Sequence, residues 1–120
     1  MGTILSVDDS TSMRQMVALT LSQCGHQVIE ACDGRDALVK IANQPVHLII
    51  TDLNMPNMDG LEFIRQARRL PQIRFVPILM LTTESQAEIK QAGKEAGATG
   101  WIVKPFTRDQ LKAVVAKVLR

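Results

Sequence analysis

Four apolar runs in this 120-residue chain each end in groups suited to handling a phosphoryl group: Asp8-Asp9, Asp52, Thr82-Thr83 and Lys104-Pro105. Taken singly, each is a helix cap, a loop residue or a turn. Together they are three carboxylates, a hydroxyl and an ammonium. Carboxylates gathered within several ångströms resist ionising together, because repulsion and desolvation both favour the protonated form. A divalent cation relieves that conflict. Mg²⁺ suits an all-oxygen site and commonly takes one or two carboxylates with phosphoryl oxygen and water, and no His or Cys cluster has the spacing of a zinc site. A carboxylate is a modest nucleophile, but phosphoryl transfer asks mainly for positioning and charge neutralisation. Lys104 fits the latter role, being a compact charge on a flexible stem.

Such residues meet only if their strands lie side by side. The apolar runs Thr3 to Asp8, Gln27 to Ala31, His47 to Asp52, Val76 to Thr82 and Gly100 to Val103 read as strands, several of them unbroken Ile/Leu/Val as expected when both sheet faces are covered. Segments of helical period alternate with them. The first aligns Met13, Met16, Val17, Leu21 and Cys24 behind a Ser12-x-x-Gln15 capping box. The second spans Arg35 to Asn43 and the third Leu61 to Leu70. The fourth, Gln86 to Ala96, has only Ile89, Ala92 and Ala96 as its stripe and is expected to be the most mobile helix. The fifth opens with a second capping box, Thr107-x-x-Gln110. This alternation predicts an α/β domain with a doubly wound parallel sheet of five strands. Its ligand site lies beyond the carboxyl ends of the strands, where the polar groups fall.

Composition narrows the function. A formal charge of +2, with 14 Lys/Arg dispersed among 12 Asp/Glu, offers no basic track for nucleic acid. Three Phe, one Trp and no Tyr leave no stacking platform for bases. Cys24 and Cys32 are expected to be small buried or semi-buried hydrophobes in a reducing compartment. Neither a signal peptide nor a membrane span is readable, so a cytoplasmic, monomeric, single domain over residues 1–120 is expected, with no output domain. Arg65, Arg68 and Arg69 read as a solvated helix face. In the turn after the third strand, Pro56 limits the backbone choices and Gly60 permits positive φ.

Val7-Asp8-Asp9, the run Thr51-Asp52-Leu53-Asn54-Met55-Pro56-Asn57-Met58-Asp59-Gly60, Leu81-Thr82-Thr83-Glu84 and Val103-Lys104-Pro105-Phe106 strongly resemble the receiver domains of response regulators, above all the stand-alone chemotaxis, CheY-like type. The resemblance spans essentially the whole chain. It implies a flavodoxin-like fold of strand order 2-1-3-4-5, the order chemotaxis receivers exemplify. It also implies that Asp52 is the phosphoacceptor, that Asp9 and Asp52 bind Mg²⁺ directly, that Asp8 holds it through water, and that the Asn54 backbone carbonyl completes the protein ligands. Lys104 would contact the phosphoryl oxygens and Thr82 would report on them. Trp101 stands where the family places a switching aromatic, with plain edge-strand packing as the alternative. Asn54 and Glu84 occupy positions that tune phosphoryl lifetime, and Lys104-Pro105 is a candidate cis peptide.

The implied function is two-component signalling. A histidine kinase serves as phosphodonor and a protein, such as a flagellar motor switch protein, as output partner. The chain would be a phosphoacceptor switch and not an enzyme in the usual sense. A single-receiver phosphorelay intermediate outside chemotaxis is the near alternative. A Mg²⁺-dependent aspartyl-phosphate phosphatase of the haloacid-dehalogenase type expects a second Asp where Asn54 stands. A flavodoxin needs a phosphate-cradling loop where Asp8 and Asp9 would repel the ligand. A degenerate receiver used only for binding has no chemical need for the full residue set.

Overall fold

The computed structural model describes residues 2–83 and 87–119. Strands β1 (Thr3–Val7), β2 (Gln27–Ala31), β3 (Leu48–Asp52), β4 (Ile78–Thr83) and β5 (Gly100–Lys104) alternate with helices α1 (Thr11–Gln23), α2 (Gly34–Asn43), α3 (Gly60–Arg68), α4 (Ala87–Ala96) and α5 (Arg108–Val118), with a 3₁₀ turn at Pro71–Ile73. The sheet has five strands in the order β2-β1-β3-β4-β5, all pairs parallel. The predicted fold class and strand order are both present.

The unbroken apolar runs are explained by two cores, one on each sheet face. Leu5, Val7, Ile49, Ile78 and Met80 pack with Ala37, Ile41, Phe63, Ile64 and Ala67 of α2 and α3. On the opposite face Ile4, Leu48, Ile50, Leu79, Leu81 and Ile102 pack with Val17, Leu21, Leu111 and Val115 of α1 and α5. Alternate residues of β1, β3 and β4 therefore feed opposite cores, as the pleat requires.

Helix starts follow local capping chemistry. Thr107 and Gln110 form the reciprocal capping box read from the sequence. The Ser12-x-x-Gln15 box does not form, since Ser10 caps α1 and its Oγ accepts from the Met13 N–H at 3.3 Å. Ser10 is the residue already out of β1, so the helix starts two residues earlier, at Thr11, and Ser12 falls in its first turn. Asp33 and Asp59 cap α2 and α3.

The thin apolar stripe of α4 is offset by close approach. A Cβ on Gly93 would sit 2.2 Å from Met80 Sδ and Cε, so this buried glycine lets the helix rest directly on the methionine of β4. Both cysteines are exposed, contrary to expectation, because Cys24 ends α1 and Cys32 follows β2 in a loop.

Arg68 also departs from expectation. Arg65 and Arg69 are exposed, but the Arg68 guanidinium is half-buried and donates to the carbonyls of Ile73 at 2.7 Å, Val76 at 2.6 Å and Gly97 at 2.9 Å. It thereby ties the end of α3 to the entrances of β4 and β5. Burial draws its pKa down. Arg68→Ala would strip three carbonyls of a charged donor, so we expect a loss of about 3 kcal/mol in urea denaturation, with divalent-ion binding unchanged.

Candidate phosphoryl and metal site

Parallel register builds the site. Val7 lies opposite Thr51, so the next residues, Asp8 and Asp52, emerge side by side from β1 and β3. Asp52 pairs with Leu81, so Thr82 lies on β4 one step beyond it, while Thr83, the last residue of β4, pairs with Lys104. Carboxylate oxygens of Asp8, Asp9 and Asp52 all lie within 4.8 Å of one another. The Lys104 ammonium donates to Asp52 Oδ1 at 3.1 Å. The sequence-derived carboxylates and lysine therefore share one pocket.

Each buried carboxylate has one oxygen fixed and the other left for a ligand. Asp52 Oδ1 accepts both the Leu53 N–H at 2.8 Å and the Lys104 ammonium. Asp8 Oδ1 accepts the Ser10 N–H at 2.9 Å. Among the described residues, Asp8 Oδ2 and Thr82 Oγ1 are buried and find no hydrogen-bond partner. Buried polar atoms are seldom left unpaired. An orphaned carboxylate oxygen in an acidic cluster fits a cation, and an orphaned hydroxyl at the same end of the sheet, on the strand beyond β3, fits an incoming acceptor such as a phosphoryl oxygen. The donor set is all oxygen and matches Mg²⁺.

Electrostatics agree. Burial, above all, pushes the Asp8 carboxyl above the ordinary carboxylate range; the Ser10 N–H opposes this, the Asp52 charge reinforces it, Lys104 draws it back, and Asp9 adds a smaller push. Because its pKa is raised, the folded chain holds a proton that the unfolded chain has released. Metal-free stability therefore falls as pH rises through the interval above the ordinary value. Asp8→Asn removes this penalty. We expect it to raise metal-free stability by about 1 kcal/mol, a common size for a single-residue effect, while denaturation in millimolar Mg²⁺ shows the reverse order, since only the wild type gains from binding.

In the loop from β3 to α3 the freedom that Gly60 permits is not the one used. Positive φ occurs at Asn57, at 68°, and not at Gly60. Asn tolerates that region because its short side chain bonds locally. Gly60 serves another purpose: its missing side chain admits the backbone of Asp52 and Leu53, as a Cβ there would lie 2.2 Å from the Asp52 carbonyl oxygen. Asn54 is exposed in this loop. The Lys104-Pro105 peptide is cis.

Trp101 stands on the edge strand β5, 42% exposed, with the Lys90 ammonium of α4 lying 5.3 Å from its ring centroid. It faces outward here and links β5 to α4. Glu84 lies outside the described residues. Sequence reasoning missed the Asn57 amide, which donates to Asp33 Oδ2 at 2.8 Å; its position in the loop was the available signal.

Among the described residues no helix is long and apolar enough to cross a membrane. Residues 4–116 match the family model described as response regulator receiver domain. The chain is 43% identical to the chemotaxis protein CheY1 of Helicobacter pylori, covering 97% of this chain and 95% of that one. A CheY homolog of Campylobacter jejuni is 43% identical, with 97% and 91% covered. Among solved structures, the chemotaxis response regulator CheY4 of Vibrio cholerae matches with a TM-score of 0.95 and 50% identity over 99% of both chains. Adjacent strand ends that gather an acidic cluster opposite a lysine, and relatives that match almost end to end, lead to one assignment: the chain belongs to the response regulator receiver family and is a chemotaxis-type response regulator of two-component signalling.

Proposed function

We propose that the chain accepts a phosphoryl group on Asp52 from a histidine kinase and uses the modified state to change its affinity for a protein partner in motility control. The observation that carries this is the division of labour within Asp52. Its Oδ1 is anchored by Leu53 and Lys104, and none of the described hydrogen bonds reaches its Oδ2.

In this reading Asp52 Oδ2 attacks phosphorus, the O–P bond forms, and the P–N bond of the donor phosphohistidine breaks, its electron pair returning to the imidazole. Lys104 exchanges part of its contact with the carboxylate for a phosphoryl oxygen. Asp8, Asp9 and Asp52, with the Asn54 backbone carbonyl, would hold Mg²⁺, which when bound neutralises charge on the transferring group. The acquired group brings about −1.5 to −2 charge and three acceptors. Thr82 Oγ1, buried without a partner, then has one to donate to. An inward shift of Thr82 reaches β5 through the Thr82–Val103 pairing, and Trp101, joined to α4 through Lys90, is placed to register it. Asn54 and Glu84 would tune the lifetime of the phosphoryl group.

The partner class follows from the chemotaxis relatives, and a flagellar motor switch protein is the form it takes in this proposal. The chain acts in the cytoplasm as a monomeric switch that assists its own phosphorylation and dephosphorylation. Incubation with acetyl phosphate and Mg²⁺ is expected to add one phosphoryl group, mapped to Asp52 by peptide mass spectrometry and abolished by a chelator. Labelling at another residue, or undiminished labelling without divalent ion, overturns the proposal.

A further inference from the structure

The loop between β3 and α3 carries Asn54; Met55 and Met58 pack against the core below it, but few hydrogen bonds hold its polar part in place. Its neck is closed by the Gly60 N–H donating to the Leu53 carbonyl at 2.9 Å. Between these points Asn54, Pro56 and Asn57 are exposed, and the Met58 N–H to Pro56 carbonyl bond is internal to the loop. Among the described residues, the one side-chain hydrogen bond joining residues 54–58 to the rest of the molecule is Asn57 Nδ2 to Asp33 Oδ2, at 2.8 Å.

Asp33 is built to receive it. The side chain is buried, and its Oδ1 accepts the Asp36 N–H at 2.8 Å as the α2 cap, so the two oxygens are divided between helix and loop. Both bonds favour the carboxylate and hold its pKa down, the Asp36 N–H more than the Asn57 amide. Beside this pair, Met58 lies against the helix start, where a Cβ on Gly34 would come within 2.9 Å of its Sδ. The left-handed backbone at Asn57 turns the amide toward α2 at a position where most side chains are disfavoured.

We propose that the Asp33–Asn57 hydrogen bond is a positioning clasp, which sets Mg²⁺ affinity by fixing the loop that supplies the Asn54 carbonyl; it rests on the metal site read above. Neither residue touches the ion. Their effect is to remove, before binding, conformations of the loop in which the carbonyl is misplaced. Groups that orient ligands from behind commonly change metal affinity about 10–100-fold, and a clasp acting through backbone belongs at the low end.

Two variants separate this role from general stability. Asn57→Gly deletes the amide and keeps the left-handed backbone accessible. The exchange Asp33→Asn with Asn57→Asp rebuilds the bond with donor and acceptor reversed, preserves net charge, and retains a good cap on α2. Calorimetric titration with Mg²⁺ should show Asn57→Gly about tenfold weaker than wild type and the exchange within about twofold. Amide hydrogen exchange of residues 54–57 in metal-free protein should be faster in Asn57→Gly and restored in the double variant. Wild-type affinity in Asn57→Gly, or an exchange variant as weak as Asn57→Gly, overturns the clasp. Absence of Mg²⁺ binding by the wild type would instead remove the metal site itself, and hydrogen exchange would still report whether the bond orders the loop.

Discussion

Asp52→Asn is expected to abolish phosphoryl labelling completely while leaving the chain folded. An amide oxygen can accept the Leu53 N–H and the Lys104 ammonium as Oδ1 does now, so the local frame survives. What disappears is the second carboxylate oxygen and one negative charge. Mg²⁺ affinity should fall about tenfold or more, since carboxylate oxygens are the strongest ligands in such a site. Metal-free stability should not fall, because the charge on Asp52 is one cause of the raised Asp8 pKa. Mass spectrometry after incubation with acetyl phosphate, calorimetry with Mg²⁺ and urea denaturation read the three effects separately. Residual labelling in a folded Asp52→Asn protein would mean that another residue accepts the group.

Much of the fold was legible because its strands are buried on both faces. Runs such as Leu48-Ile49-Ile50 allow little besides a central strand, and β1, β3 and β4 were placed to within two residues at each end. The errors lie where local hydrogen bonding decides. Ser10 and Ser12 are both capable caps, and only the path of the chain leaving β1 selects Ser10. Arg68 carries the same side chain as Arg65 and Arg69, but the carbonyls of Ile73, Val76 and Gly97 draw it inward. Those carbonyls come from beyond the helix itself, and periodicity holds no record of them.

For the site, residue type and strand-end position together were enough to select Asp8, Asp9, Asp52 and Lys104, whose meeting depends only on parallel register. The assignment of oxygens within each carboxylate was not readable, because it follows from which backbone N–H groups point inward. The same holds for the Asp33–Asn57 bond. Asp33 read alone is a helix cap, and its second oxygen acquires a partner only when the loop folds over α2.

Gly60 distinguishes conformational from steric necessity, and its replacement should have a large effect on stability. The residue does not adopt positive φ, but a Cβ would stand 2.2 Å from the Asp52 carbonyl oxygen and 2.8 Å from Leu53 Cα. Both obstacles are backbone, so neither can rotate away as a side chain would. Gly60→Ala must displace the start of α3 or the end of β3, at a cost of about 3 kcal/mol by analogy with overpacked cores, or roughly 10 °C in Tm for a domain of this size. Because Asp52 belongs to the displaced backbone, Mg²⁺ affinity should fall with stability. Gly100→Ala is the control: its Cβ would meet only Leu79 Cδ2 at 3.5 Å, an ordinary contact, and should cost less than about 0.5 kcal/mol. Gly60→Asn decides between the two explanations. A need for left-handed backbone would make Asn milder than Ala, whereas a lack of space makes it at least as harmful, so a thermal melt in which Asn outperforms Ala would refute the steric account.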